Sequence, residues 1–319
     1  MTFLQKAPDI VVGFDVSQDT LTVFQAHSSS PCPKPCVIDN TAVAIRRFLK
    51  GLERIDLAIC EPTGGHEHVL VAELMAAGIA CHRVDALKVK AFIRSFGTLA
   101  KTDALDAEAL ARYGQDRWDR LALFLPKEAD QKMLTDLVAR REDLVAFKVA
   151  EQNRARDPAS KVIKASCDAM LRAVIRQIKA IEAETKALID RTPQLKAAFE
   201  EMQSLPGVGS LTAIALLAHM PELGTLQRRQ AASLAGVAPH ANDSGLFKGH
   251  RTMRGGRSDV RRLLFMAALA ASHAKGPLRE VYQRLVQNGK RPIVAIGALM
   301  RKIIVILNAR LRDLNAQQS

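Results

Sequence analysis

The apolar residues at the start of the chain fall in short β-branched blocks and not in helical stripes. Residues 10–16 (Ile-Val-Val-Gly-Phe-Asp-Val) and 20–26 flank Ser17-Gln18-Asp19, a pattern that predicts a β-hairpin. Residues 35–38 add a candidate third strand. Spacing then turns helical over 41–52, through Val43, Ile45, Phe48 and Leu49. A short apolar strand follows at 56–60, and the turn Pro62-Thr63-Gly64-Gly65 leads into a helix over 66–77. A further strand is expected at 79–84, with helical segments at 86–95 and 103–115. Three strands followed by alternating helix and strand place this part in the α/β class.

The texture changes near Pro126. Residues 127–156 are charged and helical until Asp157-Pro158 interrupts them. Leu171, Val174, Ile178, Ile181, Thr185 and Leu188 then recur at alternating steps of three and four, forming an a/d seam. That seam suits an antiparallel helical hairpin, an intermolecular coiled coil or the core of a plain bundle. Thr192-Pro193 ends it. The last third opens on Leu205-Pro206-Gly207-Val208-Gly209-Ser210 and the apolar helix 211–220, with further helices expected at 229–235, 259–274, 277–287 and 292–312. The expected organisation is an α/β domain over 1–125, a helical coiled-coil linker over 126–195 and a mainly α domain over 196–319. The order βββαβαβα in the first of these is that of an RNase H-like fold. The Pro-Gly-Val-Gly turn before a helix resembles a helix-hairpin-helix element, in which backbone N–H groups approach phosphate.

Charge adds a partner class. Of the net +13, residues 200–319 carry 17 Lys and Arg against 7 Asp and Glu, while the first 199 carry 29 against 26. A polyanion-binding surface is therefore expected mainly in the C-terminal part. Aromatic residues make up only 4% of the chain, so phosphate contacts are the expected source of affinity, ahead of base stacking. No apolar run is read as reaching the roughly 18 residues that cross a membrane, and Met1-Thr2-Phe3-Leu4 does not open a signal peptide. The 5 cysteines are odd in number and form no CxxC pair, which fits reduced thiols in a cytoplasm. Two prolines and the lack of a second half argue against a metal site at Cys32-Pro33-Lys34-Pro35-Cys36.

Two constellations could carry chemistry. Asp15 closes one apolar strand and Glu61 follows another, while Asp103 and Asp106 share one face in the first turn of a helix. Carboxylates at strand ends are poor core residues and good ligands for hard cations such as Mg²⁺. Three or four of them can hold two ions that activate and stabilise the oxygens of a phosphodiester. Each also has a bland reading: Thr102 or Asp103 could cap the helix, Asp106 could serve its dipole, and Asp15 and Glu61 could be solvated strand ends. Lys101 could reach a phosphate or a carboxylate. Asp19, Glu108 and the diverging His66 and His68 fit a metal site less well, with a solvent-facing or helix-start role expected for His66-Glu67-His68. The second constellation is Ser244, in a Gly-flanked turn ahead of a segment with Lys248, Arg251, Arg254, Arg257, Arg261 and Arg262. Clustered cations could serve a serine attacking phosphate, or the turn could simply sit beside a phosphate-contacting loop.

Together these motifs resemble one family, the IS110 transposases with the related pilin-gene invertases. The matching elements are Gly13-Phe14-Asp15-Val16, Cys60-Glu61-Pro62-Thr63-Gly64, Lys101-Thr102-Asp103-Ala104-Leu105-Asp106-Ala107, Leu205-Pro206-Gly207-Val208-Gly209, Ser244-Gly245 and Gly255-Gly256-Arg257. Gly289-Lys290 and Arg301-Lys302 extend the match along nearly the whole chain. The resemblance implies a RuvC-like DEDD domain, a coiled coil and a C-terminal transposase domain. It implies Asp15, Glu61, Asp103 and Asp106 as the Mg²⁺-binding quartet and Ser244 as the nucleophile that holds a transient phosphoserine link. It further implies double-stranded donor and target DNA, a guiding noncoding RNA, and a homo-oligomer, dimer to tetramer, in which quartet and serine come from different subunits. One departure is Phe247, where another basic residue is expected. Competing readings are a RuvC-like nuclease or resolvase using water and a basic DNA- or RNA-binding accessory protein. A sugar-kinase or actin-like ATPase would want a glycine-rich first hairpin, and Ser17-Gln18-Asp19-Thr20 has no glycine.

Overall fold

A computed structural model describes residues 3–27, 34–52, 54–95, 102–125, 128–156, 160–241, 243–244, 247–249 and 251–318 (for 243, 247, 248 and 318 the backbone alone). It divides into two compact units, Met1–Pro126 and Lys127–Ser319.

The first unit holds β1 (Ile10–Val16), β2 (Thr20–His27), β3 (Cys36–Asp39), α1 (Ala42–Lys50), β4 (Leu57–Cys60), α2 (His68–Ala76), β5 (Cys81–Arg83), α3 (Ala86–Ser95) and α4 (Asp103–Arg117). The sheet order is β3-β2-β1-β4-β5. Pairs β1–β2 and β2–β3 are antiparallel, whereas β1–β4 and β4–β5 are parallel. The hairpin expected at Ser17-Gln18-Asp19 closes with Ser17 N–H donating to Thr20 O at 2.9 Å.

Strand alternation sends side chains to opposite faces, and each face has its own core. Val12, Phe14, Val16, Leu21 and Val23 pack with Ile45 of α1 and with Leu70, Val71 and Leu74 of α2. On the other face Val11, Leu57 and Ile59 pack with Val89 and Phe92 of α3 and Leu110 and Tyr113 of α4. This three-layer arrangement matches the RNase H-like order read from the sequence. Each large side chain taken fully out of water contributes about 1.5–3 kcal/mol.

Among its described residues the second unit has helices and four two-residue strands. It begins with α5 (Ala129–Arg156) and α6 (Lys161–Arg191), followed by α7 (Pro193–Gln203), α8 (Ser210–His219) and α9 (Arg228–Leu234). Strands β6 (Pro239–His240), β7 (Asp243–Ser244), β8 (Phe247–Lys248) and β9 (Thr252–Met253) come next. Helices α10 (Ser258–His273), α11 (Pro277–Gln287) and α12 (Pro292–Gln318) complete the unit.

Helices α5 and α6 form an antiparallel hairpin within the chain. Thr192 donates to Asp130 at 2.7 Å at one end, and Arg141 donates to Glu182 at 2.7 Å farther along. Leu144, Val174 and Ile178 are buried between them, so part of the a/d seam faces α5. Both helices belong to the same compact unit as α7 to α12. Ser160 caps α6 by accepting from Ile163 N–H at 3.3 Å. Pro193 starts α7, a helix the sequence pattern did not announce.

The expectation that no segment could cross a membrane is corrected by α12. Its residues Pro292–Gln317 are long and apolar enough, with a hydropathy of 1.8. Arg301 and Lys302 interrupt the run without lowering its average much. The helix is nonetheless the central core element, with Leu299, Ile303, Ile304 and Leu307 fully buried beside α10 residues such as Val260 and Leu264. Buried Asn308 makes two bonds: it accepts from Gly224 N–H at 3.0 Å and donates to Leu226 O at 2.7 Å.

The four described cysteines, Cys36, Cys60, Cys81 and Cys167, are free thiols. Cys32 lies outside the described residues, so the Cys32–Cys36 reading is not addressed by the fold.

Candidate active site

The carboxylate face is built by a close approach of α4 to β1. Val11, Gly13 and Asp15 alternate onto the side of the sheet that carries α4, and their β2 partners Ala26, Phe24 and Thr22 share that side. Phe24 and Ala26 pack against Ala107 and Ala111 of α4. A β-carbon at Gly13 would lie 2.2 Å from Ala107 O and 2.6 Å from Ala111 N. Farther along the helix, a β-carbon at Gly114 would meet Val11 and Ile59, each at 2.7 Å. Moving from Val11 to Gly13 therefore moves backward along α4, from Gly114 to Ala107. The next residue on that face of β1 is Asp15, and the next turn back on α4 carries Asp103 and Asp106.

Glu61 joins them through the parallel register. Phe14 lies opposite Cys60, so Asp15 and Glu61 continue side by side, on strands about 4.8 Å apart. Ile59 faces α4, and two residues on Glu61 is on the same side. Thr102, not Asp103, caps α4, accepting from Leu105 N–H at 3.3 Å. Asp15, Glu61 and Asp106 are half-buried and Asp103 is exposed. By register and alternation Asp15 and Glu61 fall at the ends of neighbouring strands on the side that carries α4, and Asp103 and Asp106 lie in the first turn of that helix. Among the described residues, however, no three His, Cys, Asp or Glu side chains are gathered closely enough to hold one metal ion. Lys101 lies outside the described residues.

The loop that follows Glu61 has an anchor that the sequence reading missed. Glu67 is 1% exposed and sits where His66-Glu67-His68 was expected to be solvent-facing or at a helix start. The histidines are exposed, whereas Glu67 is the N-terminal cap position of α2 and is buried. Its carboxylate accepts from Thr63 N–H and Gly65 N–H, both at 3.1 Å, and from the Arg83 guanidinium. Burial pushes the Glu67 carboxyl up, but the backbone donors of this turn and Arg83 outweigh it and hold the group below its ordinary value. Gly64 and Gly65 have φ of 61° and 101°, conformations that suit glycine and aim these N–H groups inward. Asn40 donates to Ser17 O and to His66 O, each at 3.0 Å, bracing the turn after Asp15 to the loop after Glu61. The only cue in sequence is an acid just beyond a Thr-Gly-Gly turn.

In the second unit Ser244 is exposed on a short hairpin. It pairs with Phe247, and Asp243 pairs with Lys248. Outside this ladder, Pro239 and His240 pair with Met253 and Thr252. Arg251, Arg254 and Arg262 are exposed, the last beside Asp259 at 2.9 Å. Arg257 and Arg261 are half-buried and engaged. Arg257 donates to both Glu222 oxygens at 2.7 Å and to His219 O at 2.6 Å. Arg261 donates to Gly236 O at 3.2 Å and Gly255 O at 3.0 Å. Lys248 is placed by its backbone alone.

Two further features bear on nucleic acid. Gly207, with φ of 96°, backs onto α10, where a β-carbon would lie 2.7 Å from Ala267 O. Its freedom therefore serves packing. Gly209 has open space beside it and precedes α8, so it is the glycine of the Pro-Gly-Val-Gly turn that leaves a helix N-terminus approachable. A groove of about 850 Å³ lies beside β9 and α12, with an apolar floor including Met253, Phe265 and Ile306 and with Arg228, Arg251, Arg301 and Lys302 among its lining residues.

Residues 12–159 match a transposase profile of the DEDD IS110 type, and residues 200–283 match the Transposase IS116/IS110/IS902 family. The chain is similar to the pilin gene-inverting protein of Moraxella lacunata, 30% identical over 259 residues that cover 80% of each chain. It is similar to the pilin gene-inverting protein of Moraxella bovis, 30% identical over 234 residues and 72% of each. The insertion element IS110 43.6 kDa protein of Streptomyces coelicolor is 35% identical over 155 residues, 48% of this chain and 37% of that protein.

Proposed function

Because this chain belongs to the IS116/IS110/IS902 family of transposases, enzymes that recombine DNA, we propose that it cuts and rejoins strands through Ser244 with the help of a carboxylate-bound divalent metal. What supports the metal half is the close approach of Gly13 to Ala107, next to the strand ends that carry Asp15 and Glu61 and one turn from Asp103. Asp15, Glu61, Asp103 and Asp106 offer only carboxylate oxygens, a donor set suited to Mg²⁺. Four like charges on one edge repel, and a cation is what would draw them into coordination distance. When bound, the ion supplies Lewis acidity that offsets charge on the scissile phosphate.

The residues of the chain do the remainder. The Ser244 hydroxyl loses its proton and its oxygen attacks phosphorus, forming a phosphoserine ester as the bond to the departing nucleoside oxygen breaks. That oxygen takes up a proton. A hydroxyl of the recipient strand then attacks the ester and releases the serine, so bond energy is conserved and no nucleotide cofactor is needed. Arg251 and Arg254, exposed near the hairpin, supply positive charge for the approaching backbone.

The proposed partners are double-stranded donor and target DNA, a noncoding guide RNA and further copies of the chain, which supply quartet and serine from different subunits. The proposed setting is the cytoplasm. The test is strand joining on element-end DNA with purified protein, with and without co-purified RNA, in Mg²⁺ and in chelator. Joining that requires Mg²⁺ and the co-purified RNA supports the proposal; joining unchanged by chelator contradicts the metal role.

A further inference from the structure

We infer that Arg257 and Arg261 are positioning residues for the Ser244 hairpin and not phosphate contacts. This rests on Ser244 being the nucleophile.

The hairpin needs an external support. Its own ladders are two residues long, and outside them the chain segments entering and leaving must be held together. They are held by glycine contacts. A β-carbon at Gly256 would lie 2.3 Å from Gly236 N and 2.5 Å from Ser233 O, and one at Gly236 would lie 2.6 Å from Gly255 O. The two segments therefore touch backbone to backbone, and Arg257 N–H donates across the seam to Leu234 O at 2.8 Å. Arg261 bonds one carbonyl on each side of the seam, those of Gly236 and Gly255. Arg257 then ties the exit of the hairpin to the end of α8 through its fork onto Glu222 and its bond to His219 O.

Charge separates Arg257 from its neighbours, and Arg261 is set apart by its two carbonyl bonds. A guanidinium paired in bidentate fashion with a carboxylate has its charge offset and two donors committed. To reach phosphate, Arg257 would have to leave Glu222 unpaired. Arg251 and Arg254 are exposed, and Arg262 has only an exposed pair three residues away, the kind worth little. The basic segment thus divides into arginines that hold the hairpin and arginines that face solvent. In-line attack is intolerant of misplacement, with about 1 Å costing on the order of a hundredfold in rate.

The test uses Glu222→Gln, Arg257→Gln and Arg251→Gln in the full chain. Three quantities are measured: DNA affinity against salt, the single-turnover rate of covalent Ser244–DNA linkage at saturating DNA, and amide exchange over residues 239–253. Glu222→Gln is nearly isosteric and removes a negative charge. If Arg257 were a phosphate contact, the change would tighten DNA binding and keep the rate. The inference expects a loss in rate of about tenfold or more with affinity and salt slope unchanged, and faster exchange confined to the hairpin. Arg257→Gln should behave alike, whereas Arg251→Gln should weaken binding and lower the salt slope by about one. Tighter binding in Glu222→Gln, or a salt slope lowered in Arg257→Gln, overturns the inference. Failure of the nucleophile reading shows separately, as wild-type protein forming no linkage or Ser244→Ala retaining it. Even then the salt slope decides whether Arg257 touches phosphate.

Discussion

Gly13 and Ala107 meet backbone to backbone: a β-carbon on Gly13 would stand 2.2 Å from the Ala107 carbonyl oxygen. This contact sets α4 against β1, one helical turn beyond Asp103 and two residues before Asp15. Gly13→Ala should destabilise the first unit by about 1–3 kcal/mol, the usual range for overpacking. Strand cleavage should fall with it, because α4 must lift from the strand. Urea unfolding followed through Trp118 measures the first effect. Wild-type stability in Gly13→Ala would mean that α4 does not sit this close.

Glu67 provides a second prediction, with a sign in pH. Its carboxyl is held below its ordinary value by the loop N–H groups and Arg83, against the opposing effect of burial. A depressed folded-state value means that its stabilisation is fully present above the ordinary glutamate value. It is lost as pH falls through the lower, folded value. Glu67→Gln should therefore destabilise the first unit at neutral pH and flatten its acid unfolding limb. The loss at neutral pH should be about 3 kcal/mol, at the low end for breaking a buried pair because Arg83 keeps some contact with water. Thermal melting from pH 3 to 7 checks both, and an acid limb as steep as that of wild type would count against the anchoring role.

The sheet and most helices were legible because their signals are local. Alternating β-branched blocks marked β1 and β2, and helical spacing marked α1 and α6. Asp15, Glu61, Asp103 and Asp106 were legible as strand-end and helix-face acids. Their alignment depends on Gly13 and Gly114, whose missing side chains matter only once α4 is packed. Glu67 left only an acid beyond a Thr-Gly-Gly turn and Glu222 left no trace, since each acquires its role from partners at a turn or far along the chain. Helix α7 was missed because Thr192-Pro193 reads equally as a stop and as a start. Arg257 and Arg261 looked like their exposed neighbours until their carbonyl and carboxylate partners were in place.

Asn308 tests the assignment of α12 as a core helix. It satisfies Gly224 N–H and Leu226 C=O in a buried setting. Asn308→Ala leaves both unpaired and should cost about 2–6 kcal/mol, since each buried orphan costs about 1–3. Chemical denaturation of the full chain measures this, and a loss under about 0.5 kcal/mol would place Asn308 in water.

The carboxylate quartet predicts a metal dependence that folding does not share. Asp106→Ala should leave melting within about 1 kcal/mol of wild type, as expected for a half-buried first-turn acid that loses only a favourable dipole interaction. It should abolish Mg²⁺-dependent cleavage. Retained cleavage, with only DNA affinity altered, would favour an electrostatic role for this acid.

The most direct test of the account is the covalent species itself. Wild-type protein is mixed with DNA carrying the element end and Mg²⁺, quenched in denaturant, and the DNA-linked peptide is identified by mass spectrometry. The account predicts an adduct on the peptide containing Ser244, absent in Ser244→Ala and in chelator. Cleavage by wild type with no adduct, or cleavage that persists in Ser244→Ala, would make water the nucleophile and contradict it.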